Sequence, residues 1–243
     1  MQFKKFQNKV IPEDIELIVP DNSPSNTLVY IPWHEKYLEH VPEEWKRFFL
    51  AALPHLGART TDVHTAICTF YIDKIIELHQ GDVNSRVLAL GLILHDIGWA
   101  SLSEQDIIDS LSDYKGLELS DTSMGPKERH AIEGVKISKK LLDEFNFNPA
   151  LSAEDRKEIL DIVALHDYPE KLSISGQLAT DLDRVWSFTD ENFWQDTIRK
   201  DVSPEQYLAN LNKDSETYFA TEAGLTIAKQ LLEDRAKEVE QIK

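Results

Sequence analysis

The stretch VLALGLILHDIG, which begins at Val87, constrains the fold of this chain more than any other. It is apolar on every side until its last turn, so a helix formed here has no solvent face and must be enclosed by other elements. It closes on His95 and Asp96. Two titratable residues at the end of a buried helix are costly unless something compensates for their desolvation.

The flanking segments read as helices able to supply that enclosure. PEEWKRFFLAAL opens with Pro42 and two acids, a helix-start signal. From Thr61 to Gln80, His64, Ile67, Tyr71, Ile75 and Leu78 recur at steps of three or four, with Gly81 as the expected stop. A short helix over Glu104 to Ser112 and the loop LELSDTSMGP lead to a helix from Pro126 to Phe145. It carries His130, Gly134, Ile137 and Leu141 on one stripe, with Gly134 small enough for a close approach.

Ser152 and Asp155 form an acidic capping box, opening a helix in which Ile159, Ile162, Val163 and His166 share a face. A helix over Ser175 to Trp194 aligns Ala179, Asp183 and Trp186. The last, Glu222 to Ile242, turns Leu225, Ala228, Leu232, Ala236 and Val239 inward. Residues 1–42 differ, because Ile11-Pro12, Val19-Pro20, Ser23-Pro24 and Ile31-Pro32 each disfavour helix. The expectation is an all-α fold: one helical domain over residues 43–243 after an irregular N-terminal extension, 1–42.

Several function classes are disfavoured at this stage. A formal charge of −17 repels a polyanion, which argues against a nucleic-acid polymer as partner. A small anionic substrate stays compatible, because bound divalent cations reverse the field locally. Lone Cys68 excludes an intramolecular disulfide and a thiolate zinc cluster. Without a membrane-length apolar run or a secretory h-region, the chain reads as soluble and cytoplasmic, with no membrane partner.

His64, His95, Asp96, His130, His166 and Asp183 thus lie near helix ends or on core-facing stripes. Imidazole and carboxylate suit divalent Mn, Fe, Mg, Ni, Co or Zn, and six such ligands exceed what one tetrahedral zinc takes. The order resembles the HD-domain superfamily of metal-dependent phosphohydrolases: a His, a His-Asp doublet and a distal Asp, here in TDVHTAICTF, LILHDIGWA and TDLDRVWSF. Members with two metals add two histidines between the doublet and the last Asp, matched by His130 in KERHAIEG and His166 in IVALHDYPE.

The resemblance implies an HD-domain helical bundle with a metal-site core over about residues 60–195 and extra C-terminal helices. It also implies two divalent ions bridged by Asp96, with His64, His95 and Asp183 on one and His130 and His166 on the other. The activity implied is hydrolysis of a small phosphate ester, nucleotides included, through a metal-activated water. The alternative is a diiron oxygenase resembling myo-inositol oxygenase, which shares the six-ligand order. The branch that cleaves cyclic dinucleotides has a Lys after the doublet and a double His, where this chain has Trp99 and a single His166.

Asp181 competes with Asp183 for the last position; the Asp-Arg pair of Asp183 and Arg184 favours Asp183, leaving Asp181 as a cap or supporting acceptor. Arg59 and Lys127 are the leading candidates for substrate phosphate, with Arg129 and Arg184 behind them. Asp62 and Asp167 are candidates to orient the imidazoles. Trp186, Trp194, Phe48 and Phe49 read as core.

Overall fold

The computed structural model describes residues 2–19, 29–107 and 125–242. Among these residues the fold is helical apart from one small antiparallel hairpin, β1 (Phe3–Phe6) and β2 (Lys9–Pro12), and a single bridge between Ile18 and Tyr30. The central helix, α4 (Ser85–Leu94), is started by Asn84, whose Oδ1 accepts from the Val87 amide at 3.1 Å. Every side chain from Val87 to Leu94 is buried, as the apolar run requires. Four helices pack most extensively on it: α1 (Glu43–Ala52), α2 (Thr61–Phe70), α6 (Ala153–Leu165) and α7 (Ile174–Val185).

After the doublet, a 3-10 turn at Ile97–Ser101 packs against α5 (Pro126–Glu144). A Cβ on Gly98 would overlap the His130 carbonyl, so turn and helix meet backbone to backbone. The buried stripe of α5 is His130, Gly134, Ser138 and Leu142. Ile137 and Leu141 are only partly buried, so the helix is rotated slightly from the expected stripe. The capping box at Ser152 and Asp155 forms as expected.

Two expected helices are broken. Thr61 to Gln80 divides at Tyr71 into α2 and α3 (Ile72–His79), where the Thr69 hydroxyl donates back to the Ala66 carbonyl at 2.7 Å, a bond that bends helices. Its stop is Gln80 at φ 54° rather than Gly81. Ser175 to Trp194 divides at a 3-10 turn, Trp186–Phe188, and restarts as α8 (Asp190–Arg199) after Thr189. Thr189 followed by Asp190 and Glu191 is a start signal inside the apparent continuous pattern.

An additional helix, α9 (Pro204–Tyr218), is capped by Ser203, and α10 (Glu222–Gln241) packs on α3, α7 and α9. Ile227, Ala228, Leu232 and Val239 of α10 face the core, while Leu225 and Ala236 are less buried than expected. The helix expected over Glu104 to Ser112 is helical at 104–107; its remainder, with most of LELSDTSMGP, lies outside the described residues. Among the described residues no helix is long and apolar enough to cross a membrane.

The N-terminal segment carries more structure than its prolines suggest. Ile11, Ile15, Leu17, Val29, Ile31, Tyr37 and Val41 join the same buried cluster as α4. Among the described residues of this segment there is no α-helix, and the extended backbone is free to pack.

Candidate metal centre

The six residues come together at one end of α4. His64 lies in the first turn of α2 and Asp183 in the last turn of α7. His95 and His166 stand at the C-terminal ends of α4 and α6, and His130 faces inward from α5. Asp96 sits between them at φ −103°, ψ 5°.

One Asp96 oxygen, Oδ2, faces His64 Nδ1 at 3.7 Å and His95 Nε2 at 3.6 Å. The other, Oδ1, faces His130 Nε2 at 3.5 Å and His166 Nε2 at 3.6 Å. Asp183 Oδ1 lies 3.1 Å from His64 Nε2 and 3.3 Å from His95 Nε2. Two atoms each about 2.1 Å from a metal, at octahedral to tetrahedral angles, stand about 3.0–3.4 Å apart. The two Asp183 spacings fall in this range and the four Asp96 spacings lie slightly above it, too long for hydrogen bonds, so the set is compatible with ligands around an ion.

The buried nitrogens support the same fit. Among the described residues His64 Nε2, His95 Nε2 and both ring nitrogens of His130 have no hydrogen-bond partner. Orphaned buried imidazole nitrogens pointing at two carboxylates match the needs of a divalent cation. The atoms form two groups, His64, His95, Asp96 and Asp183, and Asp96, His130 and His166, each compatible with one ion.

The carboxylates and imidazoles of the cluster shift one another's ionisation. Burial works against ionisation of Asp96, yet His95, His130 and His166 hold its carboxyl well below the usual range. Burial likewise opposes ionisation of Asp183, and His95 and His64 overcome it, holding that carboxyl low as well. Burial depresses His95, but Asp96 and Asp183 more than offset this and bring it to about 9. Cations entering such a cluster displace protons.

Two of the four imidazoles, His95 and His166, meet backbone carbonyls rather than Asp62 or Asp167. His95 Nδ1 donates to the Leu92 carbonyl at 2.6 Å, and His166 Nδ1 meets the Val163 carbonyl at 3.3 Å. Both bonds leave Nε2 for the centre. Asp62 accepts from the Val63 amide, and Asp167 stands exposed on the cleft wall.

Asp183, not Asp181, faces the histidines. Asp181 accepts from the Ala220 and Thr221 amides at 2.7 and 2.8 Å and from the Thr221 hydroxyl at 2.6 Å, anchoring the start of α10.

Two tryptophans complete the centre; the sequence marked Trp99 only as a departure from the cyclic-dinucleotide branch and assigned Trp186 to the core. Trp99 lies flat on His130 at 4.3 Å and donates its indole N–H to Asp96 Oδ1 at 3.0 Å. Trp186, expected in the core, stacks on His64 at 5.1 Å and lines the cleft. An indole three residues after a His-Asp doublet is within reach of that doublet, which is the one signal that pointed to Trp99.

The cleft over the cluster has a volume of about 180 Å³, and Arg59 and Lys127 both line it. Arg59 and Thr60 have left-handed backbone, φ 56° and 67°, uncommon for non-glycine residues. Thr60 Oγ1 accepts from the Ile31 amide at 3.1 Å, which pins the turn, and the Arg59 guanidinium lies 4.0 Å from the Trp99 ring centroid. Arg129 instead pairs with Asp106, and Arg184 donates to the Tyr218 carbonyl, so neither serves the cleft.

Comparison with known proteins agrees with this geometry. A family model, the HD domain, matches residues 61–186, slightly more than half of the 243-residue chain. No curated protein and no solved structure matches it. The match spans all six clustered residues, from His64 to Asp183, and the chain belongs to the HD-domain family, whose members are generally metal-dependent phosphohydrolases.

Proposed function

We propose that the chain is a binuclear, metal-dependent phosphohydrolase acting on a small phosphate ester, with nucleotides in the candidate class. The observation that carries this reading is Asp96, whose two oxygens face two different histidine pairs and so suit a bridging carboxylate. His64, His95 and Asp183 would hold one ion and His130 and His166 the other, drawn from Mn, Fe, Mg, Ni, Co or Zn. Such a pair supplies Lewis acidity toward a phosphoryl oxygen and a water nucleophile at neutral pH.

The chain's own residues supply positioning. Trp99 holds Asp96 and His130 in register. Arg59 and Lys127 face the cleft, where they would bind the non-bridging phosphoryl oxygens and orient the ester for in-line attack. Water adds to phosphorus, the ester P–O bond breaks, and the alcohol leaves with a proton. These cations favour phosphoryl chemistry over the oxygenase alternative. A small cleft on an acidic chain disfavours a nucleic-acid polymer, and free, buried Cys68 fits a reducing cytoplasm.

The test is hydrolysis of p-nitrophenyl phosphate by protein of known metal content. Chelation is expected to abolish it, and Asp96→Ala to lower it by more than about a hundredfold. Full activity in Asp96→Ala would overturn the proposal. Bound iron with dioxygen uptake and no phosphate release would favour the oxygenase.

A further inference from the structure

The cleft extends beyond the six residues along α8, whose wall falls outside the family-matched span. Asn192, Asp196 and Arg199 recur on one face of α8, with Lys200 beside them. Asn192 is 2% exposed, and its Oδ1 has no hydrogen-bond partner among the described residues. An unpaired buried acceptor on a cleft wall calls for a donor from whatever fills the cleft.

Asp196, also 2% exposed, accepts from the Tyr207 hydroxyl at 2.6 Å and pairs with Arg199 at 2.5 Å and Lys200 at 2.8 Å. One carboxylate thus holds two cations on the cleft wall, and these three groups together carry one net positive charge in a chain whose formal charge is −17. A single cation would neutralise Asp196. Because Asp196 and Tyr207 already restrain both head groups, binding an anion there costs little further ordering.

Building on the phosphohydrolase reading, we propose that this wall is a second anion subsite. The substrate is a phosphomonoester bearing a further phosphate or carboxylate, taken by Arg199 and Lys200, and a hydroxyl or amine donor, taken by Asn192 Oδ1. The reacting phosphoryl group occupies the His-Asp cluster at the other end of the cleft.

The experiment compares matched esters on the metal-loaded full chain: phenyl phosphate against 4-carboxyphenyl phosphate, and adenosine 5′-monophosphate against adenosine 3′,5′-bisphosphate. The member bearing the second anionic group in at least one pair is expected to show a KM about tenfold lower or more, the scale of one charge-assisted hydrogen bond, with kcat little changed. The pair that responds distinguishes carboxylate from phosphate.

Single variants Arg199→Gln and Lys200→Gln each leave Asp196 one cation and should bring the ratio toward one. Equal KM values within both pairs, or a ratio unchanged in both variants, would overturn the subsite. Calorimetric titration with phenylphosphonate and 4-carboxyphenylphosphonate reads the same preference without turnover. Hydrolysis of none of the esters with a retained phosphonate preference sinks the hydrolase reading alone; hydrolysis without preference sinks the subsite alone.

Discussion

At the scale of single residues, Trp99 does most to shape the centre without joining it. Its ring covers His130, its N–H holds Asp96, and its side chain is only 3% exposed. Trp99→Phe keeps an aromatic face for His130 and removes the donor to Asp96. Loss of one such supporting bond typically weakens metal binding about 10- to 100-fold. The expected outcome is one ion retained and the other depleted when metal per chain is measured across a series of buffered free-metal concentrations. Unchanged affinity for both would show that the indole N–H positions nothing. The six clustered residues were legible in sequence because they lie near helix ends or on core-facing stripes, where polarity is costly, and because their order resembles the HD-domain pattern. Trp99 and Trp186 were not, because an aromatic at helical spacing looks the same whether it faces a core or a histidine ring. Arg129 and Arg184 misled for a related reason: closeness in sequence to a ligand does not fix which way a long side chain turns.

At the scale of elements, the centre depends on how closely the turn after the doublet approaches α5. Gly98, rather than Gly134, is the tighter point. A Cβ on Gly98 would overlap the His130 backbone, whereas one on Gly134 would sit 3.1 Å from Val163 Cγ1, a methyl that can turn aside. Gly98→Ala should therefore destabilise the fold by about 1–3 kcal/mol or more, through backbone displacement, and move His130 away from Asp96. Gly134→Ala should cost less than Gly98→Ala. Thermal melts of the two variants check the order, and a lower Tm for Gly134→Ala would contradict it. Sequence periodicity found α4, α5, α6 and α10 almost to their ends, because long apolar stripes tolerate few alternatives. It ran through the breaks at Tyr71 and Trp186, since the 3-10 turn at 186–188 keeps side chains close to the helical register.

At the scale of the whole molecule, a pH dependence of folding separate from the metal centre should come from the clasp joining the C-terminal helix to α8. Arg235, 6% exposed, lies 2.6 Å from Glu238 and 3.1 Å from Asp190, so one buried cation faces one buried and one partly buried carboxylate. Burial and then Asp190 raise Glu238 from an ordinary 4.5 to about 7, with Arg235 only partly opposing. Burial raises Asp190 as well, and Asp14 from the N-terminal segment adds to it. Below pH 4.5 the folded and unfolded chains both hold the Glu238 proton, and the group contributes no pH dependence. Between 4.5 and about 7 the unfolded chain releases that proton while the folded chain keeps it, so stability falls as pH rises, and above about 7 the full penalty persists. Growing self-repulsion in a chain of formal charge −17 acts in the same direction. Two slopes therefore overlap, and Glu238→Gln separates them, because it removes the titration in the clasp while Arg235 keeps Asp190. From pH 5 to 8 the Tm of the unaltered chain should fall by several degrees more than that of Glu238→Gln, with the two curves diverging mainly below about pH 7. Parallel curves would assign the whole slope to net charge and show that Glu238 is ionised throughout.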